Sequence, residues 1–223
     1  MKKNYIKVIY VLIAIALVNF VVMLSMIHNL PAEIPVHFNY RFEVDRMGSP
    51  WFLATFPSVT LAFTIAMAIE QKIRGRDYAN NKPLTIFAVV FVAFFIALGW
   101  IMYAMSGTGV QMGDTVNIPL DLFMGLGFSV LFIVMGNYLP TVKPNRTFGI
   151  RVPATYRNEE VWKKTHRFAG RATVLGGFFS GICALLGYFI GASWLIFVGL
   201  MLGVFAPMIV ILIYSKKVEK QLK

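Results

Sequence analysis

The sequence predicts an all-α polytopic membrane protein. It reads as six transmembrane helices with both termini cytoplasmic, a small outer loop domain, and an inner loop carrying an interfacial amphipathic helix. Three observations carry this expectation. Of 223 residues, 58% are hydrophobic and 14% charged, whereas soluble domains run at about 25% charged. The apolar residues gather in six long runs. The cations, 21 Lys and Arg against 10 Asp and Glu, fall almost wholly between alternate runs. The same composition excludes a disordered chain, and a single cysteine excludes a disulfide-stapled fold.

A spanning helix needs about 20 mostly apolar residues, because a rise of about 1.5 Å each must cross about 30 Å of hydrocarbon. Runs at Val8–Ile27, Trp51–Ile69, Leu84–Met105, Pro119–Met135, Ala172–Ile190 and Trp194–Tyr214 satisfy this, none with an interior Lys or Arg. Lipid offers the backbone no hydrogen-bond partner, and each run is about twice the length of a barrel strand, so the runs read as helices. Lys2 and Lys3 before the first run suggest a signal peptide. The run exceeds a typical signal core, and Asn29-Leu30-Pro31 offers no small-x-small cleavage site, so the expectation is a retained helix.

Charge sets the orientation. Three cations precede the first run, four separate the second and third, eight separate the fourth and fifth, and four follow the sixth. Only Arg41 and Arg46 fall on the other side. The positive-inside rule then puts both termini in the cytoplasm, with outer loop 28–50 and inner loop 136–171. The net +11, which in a soluble chain would suggest nucleic acid, here reads as topology, and no direct nucleic-acid binding is expected.

Within the spans the expectations are structural. Asp121 just after Pro119 reads as a first-turn acid at a helix N-terminus rather than an ion relay. Gly177/Gly181, Gly187/Gly191 and Gly199/Gly203 are small residues at four-residue spacing; they suit close packing of the last two helices across the short Gly191-Ala192-Ser193 connection, with a dimer seam as the alternative. Pro207 is expected to kink the last span. Cys183 reads as inert packing, and Trp51, Trp100 and Trp194 as interfacial anchors. No internal repeat of the kind many transporters carry is present.

In the outer loop Val36, Phe38, Phe42 and Val44 alternate with polar residues, which predicts two short extended pieces around a turn. His28, Glu33, His37, Glu43 and Asp45 lack any recognised ligand spacing, so no metal is assigned and hydrogen bonding within a small lid is expected. In the inner loop Pro140, Pro144 and Pro153 punctuate the chain. Asn158 is then a good N-cap, Glu159 and Glu160 suit the first turn, and a helix runs to about Gly170 with Val161, Trp162, Thr165 and Phe168 on one face. Such a helix suits the cytoplasmic interface, and His166 reads there as an interfacial polar residue. Eight cations against two acids give this loop +6, enough to attract anionic lipids at ~1 kcal/mol per charge. Arg151, between Gly149 and Pro153, can fix the loop against a carboxylate or carbonyls. Three histidines and one cysteine with no nucleophile–base pairing give no catalytic residues and no cofactor; a small-solute or ion transporter is the competing class.

The motifs Gly136-Asn137-Tyr138-Leu139-Pro140, Lys143-Pro144-Asn145, Gly149-Ile150-Arg151 and Asn158–Arg167 resemble the SdpI family signature. The outer Leu30-Pro31, Ile34–Asn39 and Asp45 resemble the domain of unknown function that often precedes it. The resemblance divides the chain into a three-helix region 1–110 with the outer loop and an SdpI-like region 111–223 with loop 136–171. It implies a multi-pass cell-membrane immunity protein that confers resistance to a secreted peptide toxin. It further implies a receptor that holds a cytoplasmic transcriptional repressor at the membrane. On this reading His37, Asn39 and Asp45 face the toxin, and Asn137, Asn145, Arg151, Trp162, His166 and Arg167 face the partner or lipid. The chain departs from the family pattern at Ala154 in Pro153-Ala154-Thr155, at Phe42 where a turn glycine is expected, and at Val44 where a proline is common.

Overall fold

Among the described residues six helices, each long and apolar enough to cross a membrane, follow the six apolar runs of the sequence. The chain is a multi-pass membrane protein. A computed structural model describes residues 5–75, 79–115, 119–145 and 148–222. Lys2, Lys3, Arg76, Arg146 and Lys223, five of the cations that orient the chain, lie outside the described residues. The elements are α1 (Tyr5–Ile27), β1 (Ile34–Phe38), β2 (Val44–Gly48), α2 (Thr55–Arg74), α3 (Asn81–Ser106), α4 (Leu120–Tyr138), α5 (Pro153–Arg157), α6 (Glu159–Phe189) and α7 (Ser193–Gln221). One-turn 3-10 helices lead into α2 at Pro50–Ala54 and follow α4 at Leu139–Thr141. Contacts group residues 1–81 with 88–124, and 82–87 with 125–223.

In the first group α1 buries Ile9, Leu12, Ala16, Asn19, Met23 and Ile27, a stripe with the 3.6-residue period. Ile9 and Leu12 pack with Ala68, Ala88 and Val92. The buried stripe of α2 is partly polar, but Thr60 and Thr64 donate their hydroxyls to the carbonyls of Pro57 and Thr60 at 2.9 and 3.0 Å, so both hydroxyls are satisfied within the helix. Gly99 lets α3 approach Phe56, whose Cβ would lie 3.0 Å from an added methyl. Trp100, read from sequence as an interfacial anchor, donates its indole N–H to Asn19 Oδ1 at 2.8 Å. Interhelical hydrogen bonds within a membrane contribute about 0.6–2 kcal/mol. Trp100→Phe is therefore expected to lower stability by about 1 kcal/mol, and Asn19→Leu in the same chain to cost little more; a double-mutant cycle in detergent checks this. Additive losses would contradict the pairing.

In the second group the chain folds back on itself through glycines. Gly191, at φ 69°, turns α6 into α7. Gly176 and Gly203 face each other across that pair, an added methyl on Gly203 lying 2.5 Å from the Gly176 carbonyl. Ser180 donates to the Gly199 carbonyl at 3.0 Å, and Cys183 packs over Gly199. Gly177 and Gly181 face α4 instead of α7: Ser129 donates to the Gly177 carbonyl at 2.8 Å, and methyls added at Gly177 and Gly181 would meet Ser129 or Ile133. The glycine pattern thus serves packing within the chain on two sides of α6. Asp121 sits in the first turn of α4, where its Oδ1 accepts the Leu122 N–H at 2.7 Å.

One expectation is corrected. The helix from Glu159 does not stop at Gly170 as a separate interfacial element; α6 is continuous for 31 residues, roughly 46 Å at 1.5 Å per residue. Gly170 reads as a stop because glycine commonly ends helices. Here its missing side chain serves a helix crossing: a methyl would come 2.7 Å from the Gly136 carbonyl of α4 and from Pro140.

Candidate functional site

Two constructions carry the chemistry-bearing side chains. The first is the hairpin β1–β2, antiparallel with an irregular register that pairs Ile34 with Gly48 and Phe38 with Val44. Ile34 and Val44 are buried beneath it. Asn39 organises the tip. Its Oδ1 accepts the N–H groups of Arg41 and Glu43 at 2.8 and 3.1 Å, and its Nδ2 donates to Glu43 Oε2 at 2.7 Å. An asparagine whose side chain holds the backbone two residues on is the usual way such a turn is fixed. Phe42 sits at φ 61°, the conformation glycine favours, so the sequence expectation of a glycine there matches the backbone. The left-handed region costs a bulky residue about 1–2 kcal/mol. Phe42→Gly is expected to be about 1 kcal/mol more stable than Phe42→Ala by chemical denaturation, since both lose the ring and only the first loses the strain.

On the exposed face His37 Nδ1 lies 2.6 Å from Asp45 Oδ1. Arg41 lies over the Tyr40 ring, 5.3 Å from its centroid. His28 packs edge-on to Trp51 at 5.4 Å. Two of the three outer candidates, His37 and Asp45, are thus brought together, and Asn39 is the turn that holds them so. Among the described residues no three of His, Cys, Asp and Glu gather as metal ligands. Sequence reasoning missed a third piece: residues 113–115 run beside Glu43 and Val44, at the start of β2. Val44 donates to the Asp114 carbonyl at 3.0 Å, Gly113 donates to the Val44 carbonyl at 2.8 Å, and Glu43 bridges Thr115. Gly109 and Gly113, at φ 75° and 85°, and Asp114, whose Oδ2 accepts the Gln111 N–H at 2.9 Å, were the turn signals available.

The second construction is the loop after α4 wrapped on the first turns of α6. Asn158 caps α6, accepting from the N–H groups of Glu160 and Val161 at 2.7 and 3.4 Å. The helix then buries Val161, Trp162, Thr165, His166 and Ala169. Trp162 donates its indole N–H to the Val142 carbonyl at 2.8 Å and stacks on His166 with centroids 4.0 Å apart. His166 accepts the Ile150 N–H on Nε2 at 3.0 Å, and its Nδ1 lies 2.9 Å from the Trp162 carbonyl. A ring accepting on Nε2 must carry its proton on Nδ1, so the imidazole is neutral. Gly149, at φ 114°, leaves room for that ring. Thr155 completes the clasp, donating to the Ile150 carbonyl at 2.8 Å while accepting the Val152 N–H at 3.1 Å.

The inner candidates therefore separate into two kinds. Trp162 and His166 are 1% and 0% exposed, which corrects the reading of His166 as an interfacial residue: its face of the helix is covered by its own chain. Asn145 accepts the Phe148 N–H at 2.7 Å and donates to the carbonyls of Lys143 and Phe148, so it also shapes the loop. Asn137, Arg151 and Arg167 are exposed. Lys163 and Lys164 pair with Glu159 and Glu160 at 2.9 Å each, and Arg157 reaches Glu219 of α7 at 3.1 Å.

This clasp spans the part of the chain with a recognised family pattern. Residues 141–215 match the model of the SdpI/YfhL protein family. That stretch is similar to the SdpI/YfhL family. Residues 14–61, which include α1's second half and the hairpin, match a domain of unknown function, DUF1648. The chain is 28% identical over 194 residues to the immunity protein SdpI of Bacillus subtilis (strain 168), covering 86% of this chain and 84% of that one. No solved structure matches the chain. The matched segment begins at Thr141, one residue before the carbonyl that Trp162 holds, and takes in the whole clasp of Gly149, Ile150, Thr155, Trp162 and His166.

Proposed function

We propose that this chain is a membrane immunity protein: it protects the cell that carries it from a secreted, membrane-active peptide. The observation that carries this reading is the extent of the likeness to an immunity protein, which runs through both the hairpin region and the clasp. With both termini in the cytoplasm, as the distribution of Lys and Arg favours, the hairpin faces outward. There the rigid turn at Asn39 presents the His37–Asp45 pair, Tyr40 and Arg41 to a peptide arriving from outside. Recognition of this kind draws on preformed aromatic and charged groups.

The clasp then faces the cytoplasm. Its exposed cations, Arg151 and Arg167, suit an acidic surface of a protein partner such as a transcriptional repressor, or anionic lipid headgroups. The role is binding, without a catalytic step. The test separates the two faces. In cells made sensitive to the peptide, His37→Ala and Asp45→Asn should abolish protection, while Arg151→Gln and Arg167→Gln should leave protection and abolish retention of the repressor at the membrane, read as lost derepression in a reporter strain. Protection lost only with the arginine variants would overturn the assignment of peptide contact to the hairpin.

A further inference from the structure

The apolar run of α7 ends in a row of cations. Lys216, Lys217 and Lys220 are exposed, and with Ile213 and Gln221 they bound an open recess of about 450 Å³. We propose that this recess binds the phosphate of an anionic phospholipid whose acyl chains lie along the apolar stripe of the same helix. The proposal stands apart from the immunity reading and needs only that α7 crosses a membrane.

The row has its cause in the helix. Ile211, Ser215 and Val218 form the buried face of this stretch. Ile211 packs with Leu139 and Ala169, and Val218 with Ala154 and Val161. At about 100° per residue the three lysines occupy the opposite arc, and their spacing of three and four residues sets them side by side on successive turns. Glu219, the one carboxylate between Ser215 and Leu222, is engaged by Arg157 at 3.1 Å. Among the described residues no acid pairs with Lys216, Lys217 or Lys220. Like charges at this spacing destabilise a helix, so an anion that bridges them is favoured, and a lysine ammonium meets phosphate as a point charge.

Depth and continuity make that anion a lipid. Leu202, Phe205, Ile209 and Ile213 fall on the same arc as the lysines and are each at least half exposed, in a helix long and apolar enough to cross a membrane. Hydrocarbon therefore follows this face as far as the first lysine. From Trp194, exposed at the start of α7, the helix rises about 33 Å to Lys216 at about 1.5 Å per residue, slightly more than the ~30 Å of hydrocarbon. The ammonium groups thus stand at headgroup depth. A soluble acidic protein reaches them only past lipids that already meet the same face.

The test uses the full chain in phosphatidylcholine nanodiscs, doped in turn with phosphatidylglycerol and phosphatidylcholine that carry a photoactivatable group near the acyl carbonyl. Adducts on Ile209 and Ile213 should favour phosphatidylglycerol by about five-fold or more, the factor that one lysine beside an anionic surface contributes. Val198, on the same arc toward the other end of α7, should show a ratio near one. Lys216→Gln, Lys217→Gln and Lys220→Gln together should bring the ratio at Ile209 and Ile213 to about one. Lys216→Arg, Lys217→Arg and Lys220→Arg together should keep it, since the charge is retained. A wild-type ratio near one, or a ratio unchanged in the glutamine variant, would overturn the proposal. So would displacement of the lipid label by equimolar polyglutamate, which would assign the face to an acidic protein, or by equimolar glycerol 3-phosphate, which would assign it to a soluble phosphate.

Discussion

Gly149→Ala is expected to destabilise the chain by about 3 kcal/mol and to free the segment 142–152 for proteolysis. Two effects add. At φ 114° a side chain is strained whatever the space around it, at about 1–2 kcal/mol or more. The new methyl would also run into His166 Nε2 and lie 3.4 Å from the Trp162 ring. The imidazole must then move, and the Ile150 N–H loses its acceptor in a buried setting, at about 1–3 kcal/mol. Thermal unfolding in detergent and limited proteolysis both report the change. A melting temperature equal to wild type would mean that Gly149 has no need of its left-handed backbone.

Trp162→Ala is expected to cost about 3–5 kcal/mol, the range for truncating a fully buried large aromatic residue. The ring is 1% exposed, is stacked on His166 and holds the Val142 carbonyl. Trp162→Phe separates these roles. It keeps a stacking ring and loses the N–H, so about 1–1.5 kcal/mol should go. Because Gly149, Trp162 and His166 touch one another, the Gly149→Ala and Trp162→Ala losses should sum to more than the double variant loses. Strict additivity would show that the three residues do not form one clasp.

The six spans were legible in the sequence because a membrane helix must be apolar for its whole length. The cap at Asn158 was legible because its partners are two and three residues away. What was hidden depended on residues far apart in sequence. The bond from Trp100 to Asn19, 81 residues away, has no sign in either residue's local pattern. His166 reads as a polar residue on a surface helix because its partner is a backbone N–H in an irregular loop, which no side-chain pattern announces. Gly170 carries the same letter as a helix stop and as a crossing point, and only its neighbour Gly136 decides between them. At the hairpin the candidates His37 and Asp45 were visible as residue types, but their pairing comes from the register that the Asn39 turn sets. Residues 113–115 belong to no periodic run, so their place beside Glu43 and Val44 could not be read.

The central claim is protection, and it is tested most directly by membrane potential. Sensitive cells expressing this chain, or an empty vector, are challenged with a panel of secreted membrane-active peptides while a potential-sensitive dye is followed. The account predicts that at least one peptide depolarises the vector cells and leaves the expressing cells polarised, and that Asp45→Asn removes the difference. Depolarisation as rapid as in vector cells for every peptide, with the protein present in the membrane, would contradict it.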